Sequence, residues 1–255
     1  MMLRRFFRQP IDDVLACLEH IMAFPSPVKA IAPMLIAMVI TWFIYVPIHE
    51  MLHVAGCVGT GGSVDQLEIA PRYGGTILAE HIPFVVSGGD YAGRLSGFDT
   101  KGSDLCYLAT DFGPFLLTVL FGVALVKMCM KKRRPILFGI AMVVGLAPFY
   151  NMPGDYFEMG SIITTRVVTV LTGGGPDIAF VGIRSDDVFT LIQNIFTKPV
   201  DLGLASWGSV VIALLLVGVS LVVDVFLAFA TYAVGGAVAG LAVKPAVLAD
   251  APQPR

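Results

Sequence analysis

Long apolar stretches separated by short polar ones dominate the chain. Hydrophobic runs cover residues 31–58, 105–130, 136–150, 156–171 and 207–243. A run of about 20 apolar residues is what a helix needs to cross a bilayer. The pattern therefore predicts an all-α polytopic membrane protein with about five to six transmembrane helices. The last run is too long for one straight crossing, and Gly235 and Gly236 offer a break within it. The fourth run carries Glu158 and Arg166, so it must face protein or water rather than lipid.

The segments between these runs follow other periods. In residues 1–30, Val14, Leu15, Leu18, Ile21 and Met22 recur at helical spacing, with Asp12, Asp13, Glu19 and His20 mostly on the other side. This predicts an N-terminal interfacial amphipathic helix, tethered by Arg4, Arg5 and Arg8, with His20 solvated. The same acidic residues interrupt any signal-peptide core, and no small-residue cleavage site follows. In residues 59–104, VDQLEIAP and GGTILAEHIPFVV read as strands around RYGG. They predict a small β-hairpin insertion after the first span, followed by a flexible glycine-rich segment. Residues 173–206 read as a polar loop with an amphipathic helix at DDVFTLIQNIF. Residues 31–172 thus form a membrane core, 207–243 the C-terminal membrane helix or helices, and 244–255 a tail.

Composition agrees with the runs. Of the 255 residues, 56% are hydrophobic and 14% charged, where a soluble domain carries roughly a quarter charged. The mean hydropathy is +0.80. The lipid bilayer is therefore an expected partner. A net charge of −2 gives no indication of nucleic acid. The four cysteines, Cys17, Cys57, Cys106 and Cys129, form no CxxC pair and no zinc-finger spacing, and read as small buried hydrophobes. Arg4, Arg5, Arg8 and Lys29 precede the first run, and Lys127, Lys131, Lys132, Arg133 and Arg134 cluster where the second ends. The loop between is acid-rich. Positive charge collects on the cytoplasmic side of membrane proteins, so the N-terminus is expected to be cytoplasmic and the 59–104 insertion outside.

Polar groups inside the first run need a reason. His49, Glu50 and His53 stand in YVPIHEMLHVAGC, positions 45 to 57. Residues four apart share one helix face, so both imidazoles can reach one metal ion. Zn2+ is the usual ion for nitrogen ligands in a tetrahedral site. Glu50, beside the first ligand, is positioned as the catalytic base for a water whose pKa zinc lowers towards about 7. An unpaired Glu in the membrane costs roughly 3 kcal/mol, which a metal and a wet cavity would offset.

A third ligand must return to the same membrane level. The motif lies on the far side of the first span from the N-terminus, the second span runs back, and the third ends at FYNMPGDYFEMG. Parity thus brings Asp155 to the side of His49 and His53, provided each span crosses once. Pro153 and Gly154 break the helix there and free backbone groups that only protein or water can satisfy. Glu158, one turn on, is the alternative ligand, and Asp155 could instead be an N-cap. Asp111, Cys57 and His81 are further candidates. Asp224 in LVVDVFLAF is expected to pair with Arg166 or face a polar cavity.

The His49-Glu50-Met51-Leu52-His53 motif in a membrane helix, the hairpin region after it, the Gly113-Pro114 pair and Asn151-Met152-Pro153-Gly154-Asp155 together resemble the site-2 protease family of intramembrane zinc metalloproteases. The resemblance covers roughly residues 31–170. It implies an intramembrane zinc endopeptidase acting on a membrane protein or peptide substrate, in a setting such as the bacterial inner membrane. It also implies that Asp155 is the third zinc ligand and that Asn151 contacts substrate backbone. Tyr156 stands where the family has glycine after the aspartate, and Leu117 where it has asparagine after the Gly-Pro pair. A substrate helix must unwind to be cut. The strand TILAEHIPFVV or the segment SGGDYAGRLSG could hold it by β-addition. Two other functions fit the same residues: a different kind of membrane zinc peptidase using Glu158, or a non-enzymatic multi-pass transporter or scaffold with a metal-binding or vestigial site.

Overall fold

A computed structural model describes residues 2–131, 133–173, 183–184 and 187–249. Lys132, Asp186 and tail residues 250–255 lie outside the described residues. The protein is mainly helical, with a small three-stranded sheet. Among the described residues, three helices are long and apolar enough to cross a membrane. They are α2 (Pro27–Gly59), a composite helix spanning Asp104–Cys129, and α10 (Trp207–Ala249). The composite begins as α4 (Asp104–Phe112), tightens to a 3-10 turn at Gly113–Phe115, widens to a π turn at Thr118–Gly122 and ends as α5 (Val123–Cys129). The outer faces of α2 and α10 present Ile36, Val39, Ile40 and Ile44, and Leu215, Val219 and Val222, without protein cover.

The expected third and fourth spans are shorter. Residues 136–150 form α6 (Pro135–Gly145) and a single turn, α7 (Ala147–Tyr150); the fourth run forms α8 (Phe157–Leu171). Prolines at 148 and 153 and Gly154, whose φ/ψ of −110/−110 is non-helical, divide this stretch. The last run does the reverse. Gly235 and Gly236 do not break it, and α10 is continuous. Gly235 instead lets α10 approach α5, since a Cβ there would lie 2.7 Å from Val123 Cγ2.

The insertion is not a hairpin. β1 (Ser63–Ile69) forms as expected, but TILAEH folds within α3 (Gly75–His81), with Leu78 and the capping residue Ile82 packed on Leu67, Ile69 and Val85. A four-residue spacing suits one helical turn better than a strand. β2 (Val85–Ser87) returns parallel to β1. The glycine-rich segment, expected to be flexible, is β3 (Gly93–Asp99), antiparallel to β1 on its other side. The order β2-β1-β3 leaves β3 at an edge.

α1 (Met2–Met22) has its face turned differently from the expectation. Cys17 and Ile21 pack on Val126, Cys129 and Phe138, while Ile11 and Leu15 are exposed. Asp13 is buried, taking Lys127 Nζ at 2.5 Å and the Tyr232 hydroxyl at 2.9 Å. His20 is partly buried, its Nε2 donating to the Met130 carbonyl at 2.7 Å. Those partners come from α5 and α10, which the period of α1 alone does not reveal. The amphipathic helix of the polar loop is α9 (Val188–Thr197), capped by Asp187 accepting from the Thr190 amide at 2.7 Å.

Candidate metal centre

Two helices make contact at backbone level to build the centre. A Cβ on Gly113 would sit 2.3 Å from the Leu52 carbonyl oxygen, and one on Gly56 would sit 2.2 Å from that of Ala109. Only glycine allows α2 and the composite helix to approach this closely at both points. The result is that the Thr110 carbonyl faces His53, whose Nδ1 donates to it at 2.8 Å. His49 is held from its own helix: Tyr45, one turn earlier, places its hydroxyl 3.0 Å from His49 Nδ1. With each Nδ1 proton on its oxygen partner, both Nε2 lone pairs face inward, 3.1 Å apart. Such partners fix the tautomer and ring angle of a metal-binding histidine.

Asp155 arrives from the break between α7 and α8. It lies in a π turn at Met152–Tyr156, a local widening that often marks functional positions. Its Oδ2 is 3.1 Å from His49 Nε2 and its Oδ1 is 3.7 Å from His53 Nε2. Yet Oδ2 is buried and accepts no hydrogen bond. Close approach without hydrogen-bond geometry is what donors aimed at a common point produce. One ligand atom from each of His49, His53 and Asp155 lies within 4.8 Å of the other two, and among the described residues this is the one such group of three. These residues could hold a metal ion. Two imidazole nitrogens and one carboxylate oxygen form a donor set that suits zinc chemistry.

Glu50 is 8% exposed and borders a cavity of about 430 Å³ together with His53 and Asp155. β3 forms one wall through Gly93, Arg94, Leu95 and Phe98. Gly93 lies directly on Glu50. A Cβ there would fall 2.3 Å from Glu50 Cγ and 2.8 Å from Oε1. The start of β3 thereby packs the carboxylate against the stripe that carries His49 and His53.

The other sequence candidates fall elsewhere. Glu158 and Asp111 line the same cavity but stand outside the three-ligand group. The Tyr107 hydroxyl donates to Glu158 Oε1. His81 is on the insertion, with Nδ1 bonded to the Ile77 carbonyl of its own helix at 2.9 Å. Cys57 continues the 49–53 stripe but is enclosed beside Cys106. Asn151 turns back on α7, its Nδ2 donating to the Ala147 carbonyl at 3.0 Å, and is not among the cavity's lining residues. Asp224 is 1% exposed with Oδ1 unpartnered, and Arg166 lies instead 4.0 Å from Asp104.

Sequence reasoning passed over Tyr45, Thr110 and Gly93. Tyr45 carried a signal, being four residues before His49 on the same face. Gly93 stood in a glycine-rich run whose composition suggested flexibility. Thr110 carried none, because a backbone carbonyl has no side-chain signature. Comparison with known proteins adds nothing to this geometry: no family model, no curated protein and no solved structure matches the chain.

Proposed function

We propose that this protein is a membrane-embedded zinc endopeptidase that hydrolyses peptide bonds in or beside membrane-spanning segments. The observation that carries the reading is the convergence of His49, His53 and Asp155 on one point, with Glu50 on the same cavity. A zinc ion held by the three would supply Lewis acidity, polarising a carbonyl and lowering the pKa of water towards about 7. Glu50 takes the proton from the attacking water, stores it in a site screened from solvent, and passes it to the leaving amine nitrogen. Tyr45 and Thr110 keep the two imidazoles oriented.

The edge strand supports a peptide substrate. Among the described residues β3 pairs on one side only, with β1, and it lines the cavity. An unwound substrate segment can pair along such an edge, with backbone hydrogen bonds giving affinity without a demand on sequence. The uncovered apolar faces of α2 and α10 support a bilayer setting. The short α6, α7 and α8 complete the bundle around the long helices. The basic residues at the N-terminus and after α5 support a cytoplasmic N-terminus, with the sheet and cavity at the outer end.

The test is Glu50→Gln in purified, membrane-reconstituted protein. The expected outcome is retained zinc with cleavage of a transmembrane peptide reduced about a thousandfold. If wild type and variant are alike in every cleavage assay while both hold metal, the chain is a metal-binding scaffold or transporter instead.

A further inference from the structure

Two buried thiols meet at the end of the motif helix. Cys57 is 0% exposed and Cys106 is 2% exposed. Their sulfurs flank Gly62: a Cβ on that residue would lie 2.5 Å from Cys57 Sγ and 2.9 Å from Cys106 Sγ. The sulfurs are therefore no farther apart than those two short distances combined. Cys106 Sγ also donates to the Cys57 carbonyl at 3.5 Å. Because Gly56 brings α2 against Ala109, the chains carrying both cysteines are already in backbone contact. We infer that Cys57 and Cys106 are a cross-linking site, joined in the mature protein by a disulfide that staples α2 to α4.

The chemistry follows from compartment and timing. The lysine and arginine distribution puts this end of α2 outside, so the inference rests on the orientation given above. Disulfides persist in such oxidising compartments. The oxidant is a protein disulfide of that compartment. During folding, before α4 docks, one cysteine thiolate attacks it and forms a mixed disulfide, releasing one thiol of the oxidant. The second cysteine then attacks the first cysteine's sulfur and releases the other thiol. One S–S bond forms and one breaks; the oxidant accepts two electrons and two protons. Afterwards the bridge is shielded from reductants by its burial.

The position gives the staple a consequence. Cys57 is one turn beyond His53, and Cys106 is one turn before Thr110. The bridge thus lies one turn away from the His53–Thr110 hydrogen bond that orients a metal ligand. Cys17 and Cys129 provide an internal control. They are also buried, at the opposite end, where the Cys17 thiol donates to the Val126 carbonyl.

The experiment is alkylation of the full-length protein, purified without reductant, denatured and read by peptide mass spectrometry. A parallel arm labels Lys101 in intact cells with an impermeant amine reagent. The expected result is alkylation of Cys17 and Cys129 only, a peptide pair linked through Cys57 and Cys106 and lighter by two hydrogens, and labelled Lys101. A Cys57→Ser, Cys106→Ser double variant should lose zinc to a chelator roughly tenfold more readily than the wild type. Free Cys57 and Cys106 with Lys101 labelled would overturn the staple itself. Free thiols with Lys101 protected would overturn it through the orientation, leaving the proposed metal chemistry intact.

Discussion

The clusters of buried charge around Asp13 and around Asp155, both among the described residues, are resolved in opposite ways. At the end where α1 docks, Asp13 takes both a lysine and a tyrosine, so Oδ2 is fully answered within the chain. At the other end, Asp155 Oδ2 stands close to His49 and accepts no hydrogen bond, beside two imidazole lone pairs and a second carboxylate, Glu50. Burying a charge is costly unless it is paired or coordinates a metal. The first cluster is closed by protein; the second could hold an ion. Asp224 shows that an unanswered oxygen alone is not enough, since no other described ligand atoms converge on it. Convergence is what separates a site from a buried acid.

The contrast can be broken most sharply at Asp155. Asp155→Ala should lose bound zinc altogether by elemental analysis, while Glu158→Ala should keep it; a chelator should lower the melting temperature of the wild type and not that of Asp155→Ala. Next comes Gly93→Ala. A methyl group there must displace Glu50, so cleavage should fall about a hundredfold with zinc still bound. Asp13→Ala tests the closed cluster. It leaves Lys127 without its carboxylate and should destabilise by about 2 kcal/mol, below the usual figure for a buried pair because Lys127 is partly exposed. Zinc stoichiometry should not change, and if it does the two clusters are coupled. The smallest effect is expected for Tyr45→Phe, which frees His49 Nδ1. Zinc affinity measured by competition with a chelator should weaken about tenfold.

The clusters also differ in how far they could be read in advance. His49, Glu50 and His53 are visible because their spacing is helical and their polarity is out of place in an apolar run. Counting crossings made Asp155 one candidate beside Glu158; the third run is the short α6 and α7 and not one of the three long helices, yet Asp155 does reach both histidines. Asp13 looked like one more acid on the outer face of an amphipathic helix. Its partners, Lys127 and Tyr232, are more than a hundred residues away in sequence, and no local period encodes them. The insertion failed for a related reason. TILAEH is apolar enough for a strand, and it became a helix whose Leu78 packs with the capping Ile82 on β1 and β2.

By itself the sequence carried the apolar runs and part of the candidate site: stretches long enough to cross a bilayer, and two imidazoles at helical spacing within one of them with Glu50 beside the first. Both are local properties, set by the length and period of a single segment. The tertiary structure decided how many long helices there are, which way α1 turns, and that a glycine-rich stretch is the strand holding Glu50. It also decided which buried acids find partners. Those outcomes depend on backbones approaching at Gly56, Gly113 and Gly235, where two distant segments must fit each other and neither one alone carries the answer.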